Sequence, residues 1–189
     1  MSRGFRLPGM APGQRPATWL IVTVAAVVVL IGAIIAIDAT THRPATEALK
    51  PAPAFTLQSL GNPDQHVSLA AYRGHPVILN FFASWCTPCQ AELPMVAQVA
   101  RQAQEAGRGV VFLGVDGNDN PASGLSFARK SGVAFVVGAN ADSGLAPKFT
   151  LFGYPGTVFI DASGTVVKTV HGPVSHATLE TYLARLSST

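Results

Sequence analysis

The sequence predicts an α/β domain: a mixed central sheet with helices on both faces, opened by an N-terminal β-hairpin and preceded by one transmembrane helix. Three observations carry this expectation. Apolar runs of strand length, PVILNFFA at 76–83 and VVFLGV at 110–115, alternate with segments of helical period, the pattern that puts helices on both faces of a sheet. Pairs of alternating segments lie before the first run and near the C-terminus, so part of the sheet should be antiparallel. A single long stretch, 17–37, has no charge at all.

Residues 1–16 carry Arg3, Arg6 and Arg15 with no acid beside them. From Ala17 to Ile37, 21 residues have only Thr18 and Thr23 as polar side chains. At helical rise such a stretch spans roughly 30 Å, enough to cross the hydrocarbon of a bilayer. The Arg residues before it and Asp38 after it orient its N-terminus to the cytoplasm, which exports everything beyond residue 38. An uncleaved signal anchor is expected, because a cleaved signal has an apolar core of about 7–15 residues and a small-x-small site, and Ile37-Asp38-Ala39 is a poor one. No twin Arg precedes the stretch, and no Cys directly follows it to carry a lipid. Residues 38–53, with Pro44, Pro51 and Pro53 and neither structural period, read as a tether to a folded domain at 54–189.

Within that domain Phe55 and Leu57 alternate with polar neighbours, Gly61-Asn62-Pro63-Asp64 turns the chain, and Val67 and Leu69 alternate again, which predicts the opening hairpin. Pro76–Ala83 is a strand buried on both faces, and a helix starts at about Cys86 and runs through Glu92, Val96 and Val99 to a stop at Gly107. A second buried strand at Val110–Val115 leads to a helix over Pro121–Lys130, stopped by Gly132. A third strand is expected near Ala134–Val137 and a short helix near Leu145–Phe149. Strands at Thr157–Ile160 and Thr165–Val170 are joined by Asp161-Ala162-Ser163-Gly164, where Gly supplies a positive φ. The last helix, His176–Leu186, spaces Leu179, Tyr182, Leu183 and Leu186 to face the sheet.

Charge excludes one class of partner. The chain has 13 Lys+Arg against 10 Asp+Glu, and without the three N-terminal Arg residues the two signs balance, so the domain has no basic field for nucleic acid.

The chemistry concentrates in Trp85-Cys86-Thr87-Pro88-Cys89, which holds the only two cysteines. Two intervening residues let them close a small disulfide ring, and a helix N-terminus stabilises a thiolate on the first. Cys86 is expected to be the exposed nucleophile and Cys89, in the first turn, the resolving thiol. A zinc site needs about four ligands, and one Cys pair is half of that. Haem attachment needs His after the second Cys, where Gln90 stands. A structural disulfide this short removes little chain entropy.

WCTPC after a strand, with Pro94 five residues beyond Cys89, resembles the active-site segment of the thioredoxin superfamily. Tyr154-Pro155, just before a strand, resembles the cis-proline loop that lies opposite the disulfide there. Thioredoxin itself has one strand-helix unit between the active-site helix and that proline, whereas this chain has two. That insertion, the opening hairpin, the apolar N-terminal segment and FFASWCTPCQAELP are similar to the TlpA/ResA/CcmG-like group of membrane-anchored thiol-disulfide oxidoreductases, related to the redoxin and AhpC/TSA proteins. The resemblance covers about residues 51–187. It implies a thioredoxin-like fold, catalysis by Cys86 and Cys89, and active-site support from Trp85, Thr87, Pro88, Tyr154 and Pro155. No cofactor and no metal site are expected.

The aspartate that assists proton transfer in thioredoxins falls at Asn80, which cannot titrate. Glu92, three residues beyond Cys89, leans toward the helix N-terminus and so toward the resolving thiol, and the ResA-like proteins have a functional glutamate at the matching place. The alternative is an exposed first-turn glutamate near a favourable dipole.

Asp116-Gly117-Asn118-Asp119-Asn120 begins like a calcium loop, but Pro121 takes the Gly position and Phe127 the bidentate Glu position, so it reads as a strand-to-helix turn. The five His are dispersed, and only His171 is retained as a possible modulator. Trp85 fits either core packing or a partner-facing surface. A peroxiredoxin reading fails because the required hydroxyl and proline positions hold Ala83 and Leu79.

The function expected is thiol-disulfide exchange on proteins outside the cytoplasmic membrane. The resemblance implies a reductant acting on apocytochrome c or its maturation partners and recharged by a membrane electron donor. An oxidant that donates its disulfide, or a thiol metal chaperone carrying Cu(I) on Cys86 and Cys89, are the alternatives.

Overall fold

The computed structural model describes Val22, residues 24–30, residues 50–140 and residues 144–188. The chain divides into two units, Met1–Ala48 and Leu49–Thr189. In the first, Val22 and residues 24–30 are helical and exposed. The rest of the expected membrane segment 17–37 lies outside the described residues, as do the basic residues 1–16 and tether residues 38–49. Among the described residues no helix is long and apolar enough to cross a membrane.

The second unit holds a sheet of eight strands among the described residues: β1 (Lys50–Pro51), β2 (Thr56–Ser59), β3 (His66–Ser68), β4 (Val77–Phe82), β5 (Val111–Gly117), β6 (Val136–Asn140), β7 (Gly156–Ile160) and β8 (Thr165–His171). Their order across the sheet is β1-β8-β7-β4-β5-β6-β2-β3. The centre, β4-β5-β6, is parallel because helices connect those strands, and the flanks are antiparallel. The helices are α1 (Thr87–Glu105), α2 (Pro121–Lys130), α3 (Leu145–Lys148) and α4 (His176–Ser187), with a 3₁₀ turn at Leu69–Tyr72 that the sequence reading lacks.

Strand β4 is buried throughout, as its unbroken apolar run requires. Val77, Leu79 and Phe81 enter one core with Phe149 and Leu151, while Ile78 enters the other with Val96 and Val99 of α1 and Leu179 and Leu183 of α4. The two-residue period therefore turns Asn80 toward the face that α1 and α4 cover.

Two boundaries differ from expectation. The sequence predicts a tether through residue 53, but Lys50–Pro51 pairs with Val166 and Thr165 of β8, and the Ala52 N–H donates to the Gly164 carbonyl at 2.8 Å. A two-residue strand has no period to detect. The third strand, expected at 134–137, runs over 136–140, because β2 pairs along its outer edge at Gly138 and Ala139. A Cβ at Gly138 would lie 2.8 Å from Leu57, so glycine is what lets the hairpin approach.

Candidate active site

Cys86 caps the N-terminus of α1, and Cys86 and Cys89 are joined by a disulfide. The Cys86 sulfur accepts the Cys89 N–H at 3.2 Å, so an orphan donor of the helix start points at the sulfur where a thiolate would form. Thr87 and Pro88 are exposed in the first turn, where a missing proline N–H costs nothing. Pro94 lies inside α1 without ending it.

The expected exposure of Cys86 is not found in this disulfide state: it is 4% exposed and Cys89 1%. Both belong to an apolar cluster with Leu60, Phe82, Leu93, Ala128 and Val137, and Tyr154 packs against it. The order of accessibility still favours Cys86.

Trp85 is 57% exposed, which settles its two readings in favour of a surface residue. Its indole N–H donates to the Asn118 carbonyl at 2.9 Å, and its ring meets Tyr154 edge-on at 5.9 Å. The Tyr154-Pro155 bond is cis, as the resemblance implied, and Pro155 is buried. The Pro155 carbonyl accepts the Gly172 N–H at 3.0 Å, which ties this loop to the end of β8. His171, in that strand, stacks on the exposed Phe152 ring at 6.2 Å.

Glu92 is not an exposed helix glutamate: it is 5% exposed. One carboxylate oxygen accepts from Asn80 Nδ2 at 2.8 Å, and the other accepts the Val174 N–H at 2.5 Å. Asn80 Nδ2 also donates to the Thr157 hydroxyl at 3.0 Å. Burial raises the Glu92 pKa above the usual carboxylate range, and the bonds from Asn80 and Val174 oppose the rise. A carboxyl held between those tendencies, on the helix that carries both cysteines, is suited to taking and returning a proton.

The AhpC/TSA family pattern matches residues 48–169, more than half of the chain. The chain belongs to the AhpC/TSA family. Among curated proteins this family member is similar to the thiol:disulfide interchange protein DsbE of Pseudomonas aeruginosa, with 28% identity over 138 residues covering 72% of this chain and 73% of the relative. It is also similar to the thiol-disulfide oxidoreductase ResA of Bacillus subtilis, with 27% identity covering 70% of this chain and 72% of that one. Among solved structures it is similar to a thiol:disulfide interchange protein of the thioredoxin family from Chlorobium tepidum TLS, at 30% identity and a TM-score of 0.65 over 76% of this chain and 99% of that one. A dsbF from MTB has 30% identity and a TM-score of 0.63, covering 70% of this chain and 94% of that one. This AhpC/TSA protein is thus a thiol-disulfide oxidoreductase of thioredoxin-like fold. The positions that a peroxiredoxin would fill with proline and hydroxyl, Leu79 and Ala83, are buried hydrocarbon.

Sequence reasoning missed one group in this family member. Asn120 caps α2 by accepting from Ala122 N–H at 2.9 Å, so 116–120 is the expected strand-to-helix turn. Yet Asp119 also accepts the Ser84 N–H at 2.5 Å and the Ser84 hydroxyl at 2.9 Å, and Asp116 is buried beside it. The available signal was a carboxylate closing an otherwise apolar strand.

Proposed function

We propose that the protein is a reductant of disulfides in exported proteins, held at the outer face of the cytoplasmic membrane by residues 17–37. The observation that carries the exchange chemistry is the Cys86–Cys89 disulfide at the start of α1, with Tyr154 packed against the apolar cluster that holds both cysteines and Glu92 buried on the same helix. In the reduced protein the Cys86 thiolate attacks one sulfur of the partner disulfide, and the other partner sulfur leaves as a thiolate. Cys89 then gives its proton to Glu92 and attacks the Cys86 sulfur, which breaks the mixed disulfide, frees the second partner sulfur and leaves Cys86–Cys89 oxidised. An outside reductant must restore the dithiol, and a membrane-bound thiol carrier fits an anchored domain. The resemblance to the membrane-anchored group supports apocytochrome c, or its maturation partners, as the substrate. The three Arg before 21 uncharged residues support the anchor, and an active periplasmic-type reporter fused after Thr189 checks it.

The reduction potential of the Cys86–Cys89 couple in the full chain, equilibrated against glutathione in detergent, tests the direction. A value near that of thioredoxin, about −270 mV, supports the reductant, and one near about −120 mV makes the protein an oxidant.

A further inference from the structure

We propose that Asp119 and Asp116 are positioning residues for exchange: Asp119 fastens the loop that carries Trp85 and Cys86, and Asp116, buried at the end of β5, backs Asp119 from beneath the turn. Asp119 grips Ser84 at both its N–H and its hydroxyl, 2.5 and 2.9 Å away, and accepts the Asn120 N–H at 2.8 Å. One residue earlier the Asn118 carbonyl takes the Trp85 indole N–H. The β5–α2 turn therefore holds residues 84 and 85 at three points, immediately before the nucleophile.

Asp116 is 2% exposed at the end of β5, in register with Phe82 of β4 and Ala139 of β6. Its Oδ1 has no hydrogen-bond partner. Its Oδ2 lies against α2 at Gly124, where a Cβ would come within 1.9 Å, so the helix is seated directly on this carboxyl. The groups facing it are Asp119 from its own turn, Gly124 from α2, and Phe82 and Ala139 from the neighbouring strands. None of these is a cation. Burial first, then the charge of Asp119 and the hydrogen bond to it, push the Asp116 pKa up to about 8. Below that pH a neutral Asp116 carries a proton that it can share with Asp119, which keeps its acceptors on Ser84. Above it, the charge on Asp116 repels Asp119 and the hold on Ser84 loosens. This inference rests on the exchange chemistry and on neither direction of it.

The test is insulin-disulfide reduction with dithiothreitol by the full-length protein in detergent, from about pH 6 to about pH 9.5, for wild type and Asp116→Asn. The ratio of their kcat/KM values should change about threefold, with a midpoint near pH 8, and Asp119→Ala should lower kcat/KM about threefold or more at pH 7. A ratio constant across the range overturns the proposal, because a merely structural role gives parallel profiles. In the wild-type protein the Ser84 amide proton, followed by NMR, should titrate with the same midpoint, and an amide that does not move overturns the proposal even if the variants fail to fold. If the wild type shows no exchange, the functional reading fails, and the Ser84 titration still decides this one.

Discussion

Glu92 on α1 and Asp116 at the end of β5 are both acids buried close to the active-site segment, at 5% and 2% exposure, yet their surroundings differ in kind. Glu92 has a donor on each oxygen, from Asn80 and from the Val174 backbone. Asp116 has one oxygen without a partner and faces another acid. Burial raises the pKa of both, but at Glu92 hydrogen bonds to the charged form oppose it, whereas at Asp116 the neighbouring charge adds to it. The lesson is that depth in the fold does not assign an acid its role. The donors around Glu92 favour its charged form against burial, and the lack of them at Asp116 leaves burial and a neighbouring carboxyl to favour the neutral form.

The comparison can be broken first at Glu92. Glu92→Ala leaves the buried Asn80 amide and Val174 N–H without their acceptor, and should cost about 2–4 kcal/mol in urea unfolding at pH 7. A loss below about 0.5 kcal/mol would mean that those donors find other partners. Glu92→Gln keeps the volume and should instead change the pH dependence of exchange, read as apparent values of the coupled thiol-carboxyl group.

A smaller effect is expected on the other side. Gly124→Ala drives a methyl into Asp116 and should destabilise by about 1–3 kcal/mol, and Asp116→Ala in the same chain should recover part of that loss. Strictly additive effects would place the helix away from the carboxyl.

The smallest step at any one pH is in the pH dependence of stability. A folded pKa above the unfolded value means that the folded state keeps a proton the unfolded state releases. The Asp116 contribution is therefore fully present below about pH 4 and is lost as pH rises to about 8, at no more than about 1.4 kcal/mol per pH unit. Glu92, also raised, adds to the same decline, so the diagnostic is the difference between wild type and Asp116→Asn. Unfolding curves that stay parallel from about pH 4 to about pH 8 would remove the buried proton from Asp116.

Much of this was legible in the residues. The apolar run at 76–83 became the central strand, Pro121–Lys130 matched its helix at both ends, and Tyr154-Pro155 formed the cis bond that the resemblance implied. Local period and capping residues carry such features, because they depend on neighbours in the chain. What escaped depends on neighbours in space. Lys50–Pro51 is a strand only because β8 lies beside it, and β6 extends to Asn140 only because β2 covers its edge. Glu92 left two readings open, since the Val174 N–H that helps bury it is 82 positions away in the chain. Asp119 looked like part of a turn because Ser84, 35 positions earlier, is visible only once β4 and β5 pair.

The central claim is that Cys86 attacks and Cys89 resolves, with the rest of the site arranged around that order. Incubating Cys89→Ser and Cys86→Ser proteins with a disulfide-bonded protein substrate, then resolving the products on non-reducing gels, measures it directly. Cys89→Ser should accumulate a covalent complex that dithiothreitol dissolves, and Cys86→Ser should form none. Capture by Cys86→Ser and not by Cys89→Ser would contradict the account by reversing the two roles.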